Sequence, residues 1–248
     1  MNSNSRLMVA LTLITEDAVK TKRFKDQIYL GDPINLTRLL SKFEIDELLI
    51  LDISERYGES KVSNNLLSAI LESAFMPIGF GGGVESFEAA EEKFKLGFDK
   101  VALKSGLRIE GLIEEIANNY GQQSLMACLD IKVLDNRIQV NDQYMEMNEL
   151  LVLVEELEKR GIGEFLVHDV EKEGTRAGYS LLAVAEKIAE NVNVPIVIGG
   201  GISSLNEASS ILQNDRIDSV ISSSIYVLNS NSSAVFVSYP SLESRRDL

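Results

Sequence analysis

Short runs of apolar and β-branched residues alternate along the chain with longer segments in which apolar residues recur three and four positions apart. The short runs predict strands at residues 7–13, 47–53, 76–80, 100–104, 124–130, 164–169, 195–199 and 219–223. The longer segments predict amphipathic helices at residues 65–75, 87–97, 112–121, 149–161 and 181–192. Such an alternation is typical of a parallel sheet with helices outside. Eight strands in 248 residues favour an α/β protein folded as a closed (βα)8 TIM barrel.

The chain repeats several landmarks at an interval of 117 or 118 residues. The segment PIGFGGGVESFEAA at 77–90 returns in altered form as PIVIGGGISSLNEA at 195–208. Asp52, at the end of the second predicted strand, likewise returns as Asp169. The repeat predicts that the barrel consists of two duplicated half-barrels.

We expect these half-barrels at about 6–120 and 121–226, within a single domain that spans residues 1–248. The interval of the repeat also relates two polar residues at strand ends. Thr12, near the end of the first strand, corresponds to Asp130 at the end of the fifth.

The last part of the chain, residues 227–248, departs from the repeat. Its sequence from residue 229, NSNSSAVFVSYPSLESRRDL, contains Asn and Ser residues that break helices, and AVFVSYP has the pattern of an extended segment. We therefore expect an atypical extended tail where the repeat would place a last helix.

The two triple-glycine segments each lie between a predicted strand and a predicted helix or helix-like segment. Glycine lets the backbone approach a ligand closely, and the N–H groups at a helix start attract anions. In such barrels the loops after the seventh and eighth strands commonly bind phosphate. The candidate residues in those loops are Gly200, Gly201, Ser223 and Ser224. The repeat places a second set across the mouth of the barrel: Gly82, Gly83, Lys104 and Ser105. Two such sites predict an elongated bisphosphate ligand; the alternative is that the glycines only form tight turns.

The chain carries a net charge of −14 at pH 7. Nucleic acids and anionic membranes are bound through clustered Lys and Arg, so we expect neither as the main partner. The N-terminus lacks a signal-peptide pattern, and no apolar run approaches the roughly 20 residues that span a bilayer, so we expect a cytoplasmic protein. The single cysteine, Cys128, excludes an internal disulfide and is most simply a core residue. We expect no metal ion and no cofactor.

Seven segments carry a resemblance to a known family. They are LGDPIN (30–35), DELLILDI (46–53), GFGGGVESFEAA (79–90), GFDKVALKS (97–105), ACLDIK (127–132), GEFLVHDVEKEGTRAGY (163–179) and VPIVIGGG (194–201). In this order they resemble the cyclase subunit of imidazole glycerol phosphate synthase, HisF, over residues 6 to about 226. The resemblance implies a barrel enzyme that receives ammonia from a glutaminase through its core. It also implies that the barrel joins this ammonia to a bisphosphorylated ribulosyl substrate, which yields imidazole glycerol phosphate and an aminoimidazole ribotide.

The catalytic pair that the resemblance implies is only half present. The family places two aspartates at the ends of strands one and five as general acid and base; here these positions hold Thr12 and Asp130. A threonine hydroxyl does not titrate near neutral pH, so it cannot take and return a proton as a carboxylate can. This difference counts against the cyclase reaction. Glu16 and Asp17 follow nearby, but we expect them in the loop after the first strand.

Three further positions at the predicted mouth differ from the family. In the phosphate-binding loops that the resemblance implies, Lys104 replaces an amide residue, and Glu173 stands before Gly174 where the family has an aspartate. The only histidine, His168, replaces a small hydroxyl residue at the end of the sixth strand. Chemistry makes it a candidate acid or base, but a histidine hydrogen-bonded to a neighbouring loop is an equal alternative.

The opposite end of the barrel matches the family more completely. The resemblance implies an ammonia gate of four charged residues at the barrel floor, Arg6, Glu47, Lys100 and Glu164. Asp99 matches a residue that reaches the glutaminase in the family, and Lys20 matches a lysine of the loop after the first strand. That loop, residues 15–29, is polar and basic, and we expect it to be a mobile lid. An ordinary salt-bridge cluster is the alternative for the floor.

The altered tail resembles the HisF paralogues found with surface-polysaccharide genes. In that group the barrel, with a glutaminase, is thought to supply ammonia to a sugar amidotransferase that turns an acetamido group into an acetamidino group. Our preferred hypothesis is therefore a HisF-like subunit that forms a heterodimer with a HisH-like glutaminase, with a sugar amidotransferase as a possible third partner. The alternatives are a working cyclase of histidine biosynthesis with a relocated base, and a non-catalytic scaffold that binds a phosphorylated small molecule.

Overall fold

The computed structural model describes residues 5–23, 25–134, 137–229 and 234–246. Residues 1–4 of the predicted domain, and residues 230–233 and 247–248 of the predicted tail, lie outside the described residues. The strands are β1 (Arg6–Ile14), β2 (Asp17–Thr21), β3 (Gln27–Gly31), β4 (Glu47–Asp52), β5 (Ile78–Gly81), β6 (Lys100–Leu103), β7 (Leu125–Leu134), β8 (Arg137–Val140), β9 (Gln143–Met145), β10 (Glu164–Asp169), β11 (Ile196–Gly199) and β12 (Ser219–Ser222). The helices are α1 (Pro33–Lys42), α2 (Asn64–Ser73), α3 (Phe87–Leu96), α4 (Leu112–Tyr120), α5 (Met147–Arg160), α6 (Leu182–Ala189), α7 (Leu205–Leu212), α8 (Ser224–Val227) and α9 (Leu242–Arg246).

A closed parallel barrel forms the centre of the described part of the chain. Its eight strands pair in chain order, β1, β4, β5, β6, β7, β10, β11 and β12, and β12 pairs in parallel with β1 to close the ring. The predicted (βα)8 TIM barrel is therefore confirmed, and each predicted strand overlaps one barrel strand. Across the described ranges, no helix is long and apolar enough to cross a membrane.

Residues of each barrel strand face alternately outward and inward. On β1, Leu7, Val9 and Leu11 belong to the large core between strands and helices, whereas Met8 belongs to a separate cluster inside the barrel. The buried members of this interior cluster are Met8, Leu49, Ala102, Met126, Leu166, Val197 and Ile221. An apolar layer therefore fills the barrel between its two ends.

Serine caps fix the helices that follow the triple-glycine turns. The side chains of Ser86 and Ser204 accept the backbone N–H groups of Ala89 and Glu207, each at 3.2 Å, which starts α3 and α7. The sequence prediction omitted α7, and it omitted α1 although Asp32 caps that helix. The sequence signals for these two helices are the caps Ser204 and Asp32, whose side chains accept the N–H groups of Glu207 and Asn35.

The segment 15–29 is not the irregular loop that we predicted. Its described residues form the hairpin β2–β3, and β2 pairs antiparallel with the end of β1, with Thr12 opposite Val19. Ala18 and Val19 are buried, and Lys20 lies on a strand with only 5% of its surface exposed. Apolar and polar residues alternate only weakly in segment 15–29, so the sequence pattern does not predict a strand there. Phe24 lies outside the described residues.

The tail packs along the barrel where the repeat would place a helix. Val235 bridges to Leu228, and the N–H of Phe236 donates to the carbonyl of Val227 at 2.9 Å. Farther on, the hydroxyl of Tyr239 donates to the carbonyl of Leu7 at 2.6 Å. The described part of the tail is thus extended, as predicted, before it ends in the short helix α9.

The end of the tail is anchored beside the starts of β1 and β4. The N–H of Asp46 donates to the Tyr239 hydroxyl at 3.3 Å, and Arg245 forms an ion pair with the Asp46 carboxylate. The Arg245 guanidinium also lies over the Tyr239 ring, 5.0 Å from its centroid. Since Asp46 precedes the floor residue Glu47, the tail supports the barrel floor.

Removing the Tyr239 hydroxyl tests this anchor. We expect Tyr239→Phe to lower the free energy of unfolding by about 1–2 kcal/mol, because the carbonyl of Leu7 loses a buried donor while the ring contacts stay. Urea denaturation of the full chain measures the effect. Tyr144→Phe, at a tyrosine that is 60% exposed, is the matched control and should leave stability unchanged. Equal stability of Tyr239→Phe and wild type would show that the tail does not stabilise the barrel.

Candidate functional site

A cavity of about 230 Å³ opens at the carboxyl ends of the barrel strands. The predicted mouth residues that line it are Thr12, Lys20, Gly82, Gly83, Lys104, Ser105, Asp130, His168, Glu173, Gly174, Gly200, Gly201, Ser223 and Ser224. The cavity therefore brings together residues that are more than 200 positions apart in sequence. Its lining also includes Asp52, which was noted only as a landmark of the repeat, and Arg56 and Arg176, which the sequence analysis did not name.

Two glycine turns on opposite halves of the barrel have the same construction. A Cβ atom on Gly82, whose φ is +127°, would lie 2.3 Å from the carbonyl oxygen of Asp52. A Cβ atom on Gly200, whose φ is +93°, would lie 2.3 Å from that of Asp169. Only glycine fits such a close approach, so the turns that follow β5 and β11 are shaped by the ends of the strands beside them. We call the turn at Gly82 and Gly83 the first cradle, and the turn at Gly200 and Gly201 with Ser223 the second cradle.

The two aspartates behind the cradles also hold the adjacent loops. Asp52 accepts the N–H of Val62 at 2.9 Å, and Asp169 accepts the hydroxyl and the N–H of Ser180. These carboxylates are engaged by the loops, so they are not available to a ligand. Through these bonds the two side chains fix the loops that follow β4 and β10, while their backbone carbonyls lie against the glycine turns.

A chain of alternating charges crosses the mouth. The Asp130 carboxylate forms an ion pair with Lys104 and lies 2.9 Å from Nδ1 of His168. The other ring nitrogen of His168, Nε2, lies 3.0 Å from Glu173, and Glu173 forms an ion pair with Lys20. The structure thus shows His168 bonded to carboxylates on both sides, and it gives Lys20 a partner from the loop after β10.

The charge chain fixes the protonation states of its members. Burial alone would lower the pKa of His168, but the hydrogen bonds to Asp130 and Glu173 raise it to about 9. Both carboxylates accept from the ring, and a neutral imidazole has only one N–H, so the ring is an imidazolium at neutral pH.

Both carboxylates are correspondingly held in their charged form. Burial alone would raise the pKa of Asp130, but His168 and Lys104 hold it well below its usual range. Burial also opposes the charge on Glu173, and Lys20 with His168 lowers its pKa to about 2. Asp130 is therefore a poor general base near pH 7, because both of its oxygens face cations.

Thr12 faces the cavity from the end of β1 and brings no carboxylate to it. Glu16 and Asp17 are exposed, and neither lines the cavity, so the structure gives no support for either as a replacement. No group of His, Cys, Asp and Glu in the described ranges is arranged to hold a metal ion.

The four charged residues at the barrel floor form a closed ring. Arg6 pairs with Glu47 at 2.5 Å and also with Glu164. Lys100 pairs with Glu47 at 2.9 Å and with Glu164 at 2.5 Å. Each carboxylate is only 3% exposed and is shared between both cations, so removing one member would leave a buried charge uncompensated.

Only the apolar interior layer separates this ring from the mouth. The mouth cavity reaches down to Ala10, Ala102, Cys128 and Leu166, and Arg6, Lys100 and Glu164 line a shallow basin of about 590 Å³ below the floor. Cys128 faces this interior, and burial raises the pKa of its thiol to about 12, which keeps it protonated. Cys128, which we predicted to be a core residue, therefore lies inside the barrel at the base of the mouth cavity.

Asp99 is exposed at the bottom of the barrel, beside Lys100. Its carboxylate accepts the N–H of Ile78 at 2.9 Å. Asp218 accepts the N–H of Ile196 at 2.8 Å in the same way at the start of β12. The visible role of Asp99 is thus to join the starts of β5 and β6, and its contact with a partner stays a prediction.

The charge chain at the mouth makes stability depend on pH. A cation whose folded pKa is raised to about 9 stabilises the protein fully below its usual pKa of 6.5, and it loses this effect as the pH rises through 9. We expect the free energy of unfolding of wild type to fall by about 2 kcal/mol more than that of His168→Gln between pH 6 and pH 10. Urea denaturation of both proteins measures this difference. If the free energies of unfolding of the two proteins changed with pH in parallel, His168 would not be an imidazolium in the folded protein.

Comparisons with known proteins identify the family to which this barrel belongs. The family model described as "Histidine biosynthesis protein" matches residues 6–231. The protein provisionally named imidazole glycerol phosphate synthase subunit hisF2, from Pseudomonas aeruginosa, is 31% identical over 95% of both chains. The provisionally named subunit hisF3 of Vibrio vulnificus is 29% identical over 96% of this chain and 93% of its own. The imidazole glycerol phosphate synthase subunit HisF of Microcystis aeruginosa is 28% identical over 89% of both. This chain therefore belongs to the histidine biosynthesis protein family and is a HisF-like member of the imidazole glycerol phosphate synthase group.

Proposed function

We propose that this chain receives ammonia from a HisH-like glutaminase at the barrel floor and delivers it through the barrel to a phosphorylated acceptor at the mouth. The observation that carries the proposal is the stack of a closed ionic ring, one apolar layer and a polar mouth cavity along one axis. Neutral ammonia can cross an apolar layer that excludes ions. The ring, in contrast, can open only if its ion pairs exchange or a side chain swings.

The acceptor that we propose is not the substrate of histidine biosynthesis. Cyclisation of that substrate needs a base at the mouth, and Thr12 supplies none. Asp130, the carboxylate of the family's catalytic pair that is present, forms ion pairs with Lys104 and His168, and both lower its basicity. A sugar of surface-polysaccharide synthesis is the acceptor we favour, given the resemblance of the tail to the paralogues associated with that process. The glycine cradles support an acceptor that carries phosphate.

Incubation with the bisphosphorylated ribulosyl substrate and excess ammonium at alkaline pH tests the acceptor directly. We expect the full chain to bind this substrate, as followed by calorimetry, without consuming it, as followed by substrate loss. Turnover equal to that of a HisF protein that carries both aspartates would assign the chain to histidine synthesis and overturn our choice of acceptor.

Restoring the missing base provides the matched comparison. Thr12→Asp combined with His168→Thr supplies a carboxylate and removes one of the two cations that pair with Asp130, so we expect at least about a 100-fold gain over background. Thr12→Asn with His168→Thr has nearly the same shape without the base and should show no gain. Equal rates for the two double variants would show that the missing carboxylate is not the obstacle.

The barrel floor is the surface where we expect the glutaminase. Asp99→Asn keeps an oxygen that accepts the N–H of Ile78 but removes the charge. We expect this change to weaken binding of a co-expressed HisH-like glutaminase by about tenfold, the effect of losing one charged contact. Asp218→Asn, at the equivalent strand start, is the control. Calorimetric titration of wild type and both variants measures the difference, and unchanged binding by Asp99→Asn would show that the Asp99 charge does not contact the glutaminase.

A further inference from the structure

A second cavity lies beside the mouth, and no residue of the two cradles lines it. It has a volume of about 290 Å³, and it shares Arg56, Lys104 and Asp130 with the mouth cavity. Its walls come from the turn of the hairpin β2–β3, the segment after β4, the hairpin β7–β8 and the loop after β10. We call this space the side cavity. A ligand in the mouth can extend into it, because the two cavities adjoin.

The lining of the side cavity is mainly cationic. Its basic residues are Arg23, Lys25, Arg56, Lys104 and Lys132. Its acidic residues are Asp130, Asp142 and Glu171, and Asp130 is already paired with Lys104 and His168. The five cations exceed the three carboxylates by two charges, in a protein whose net charge is −14. Such a local excess attracts an anion and is not explained by the charge of the chain as a whole.

Two of these cations face each other from separate walls without a counter-charge. Arg23 is exposed on the hairpin turn, and Lys132 is half-buried on β7. Among the described residues, neither of them forms an ion pair. Both positive charges are therefore available to a ligand.

Backbone contacts hold the wall that carries Arg23 in place. Its Nε donates to the carbonyl of Glu171 at 2.8 Å, and its backbone N–H donates to the carbonyl of Glu173 at 3.0 Å. These bonds fasten the hairpin turn to the loop after β10 and hold Arg23 at a φ of +49°, which bulky residues seldom adopt. Since Nε makes the contact with Glu171, the two terminal nitrogens of the guanidinium stay available.

We propose that the side cavity binds the diphosphate group of a diphosphate ester, and that the acceptor in the mouth is such an ester. The inference rests on the proposed function for the position of the acceptor, and it adds the chemical class of that acceptor. A diphosphate that joins two organic groups carries one negative charge on each phosphoryl group, which matches the excess of the lining. Arginine donates to phosphoryl oxygens through paired N–H groups, and lysine adds a point charge.

Other ligands fit the side cavity less well. Val170 is the only apolar residue in its lining, so the cavity offers little to an apolar group. A single carboxylate would leave part of the positive charge without a partner. The substrate of histidine biosynthesis has two phosphates, one for each cradle, and none for the side cavity. Use of this cavity would therefore separate the acceptor from that substrate.

Hydrogen exchange of the full chain with inorganic pyrophosphate tests the proposal. In wild type we expect pyrophosphate to slow exchange in peptides that cover 137–145, on the β8 wall, at concentrations at least about tenfold lower than inorganic phosphate requires. Arg23→Gln combined with Lys132→Gln removes two charged donors. We expect this pair to raise the pyrophosphate concentration for half-maximal protection of 137–145 by about a hundredfold.

A matched pair of substitutions controls for the loss of charge. Lys22→Gln combined with Arg137→Gln removes two exposed cations from the same two hairpins, and neither residue lines the mouth cavity or the side cavity. Salt screens such exposed charges, so we expect a change of about threefold at most. Lys132→Gln alone leaves the backbone contacts of Arg23 intact. It should raise the half-maximal concentration by about tenfold, and this result decides the test if the double variant loosens the hairpin.

Three results would overturn the proposal. Equal weakening by the side-cavity pair and the control pair would show that only the general field acts on pyrophosphate. Protection of 79–86 and 219–229 without protection of 137–145 would confine anions to the two cradles. Equal half-maximal concentrations for citrate and pyrophosphate would mean that the side cavity accepts any multiply charged anion.

Two diphosphate esters identify the group that carries the diphosphate. Lower half-maximal concentrations for uridine diphosphate than for geranyl diphosphate would support the proposal with a nucleotide-linked acceptor, and the reverse order would support it with a lipid-linked acceptor. Failure of both esters to protect 137–145 would exclude a diphosphate ester. These readouts need neither ammonia nor a glutaminase, so a failure of ammonia transfer and a failure of diphosphate binding can be told apart.

Discussion

The alternation of side chains in a closed barrel is the constraint from which the site follows. Along β1, the inward positions are Arg6, Met8, Ala10 and Thr12, and they supply in turn the floor ring, the apolar layer, the cavity base and the mouth. A shift of one residue would turn these side chains toward the helices and bring Leu7 and Val9 inside. The register between strands therefore sets which charges meet at each end of the barrel.

At the mouth, the register places His168 beside Asp130, and the hairpin strand β2 and the loop after β10 complete a group of three cations and two carboxylates. The chain Lys104, Asp130, His168, Glu173 and Lys20 carries one net positive charge when His168 is an imidazolium. In a protein with a net charge of −14, such a local excess is what lets an anionic ligand approach. The same excess removes the basicity of Asp130. The local excess of positive charge and the low basicity of Asp130 thus have one physical cause, the two cations Lys104 and His168 beside this carboxylate.

Sequence reasoning reached the fold and the residues of the site, but not their pairing. The strands and the glycine turns could be predicted because they depend on local pattern and on the repeat along the chain, whereas the floor ring was implied by the resemblance to the HisF family. The bonds from His168 to both Asp130 and Glu173 depend on side-chain directions after the barrel closes, so the sequence left the role of His168 open. Lys20 was misplaced for a related reason, since its strand forms only by pairing with β1.

Arg176 shows the limit of sequence reasoning most sharply. It lies in the segment EGTRAG, and nothing in that segment reveals which carbonyls its guanidinium would contact. Those carbonyls come from Ser224, Leu228 and Asn229, where the chain departs from its own repeat. The departure therefore does more than replace a helix. It changes what surrounds one of the two cradles, so the duplicated scaffold has unequal halves: Lys61, paired with Glu55, lies at the first cradle, whereas Arg176, held by backbone carbonyls, lines the mouth on the side of the second.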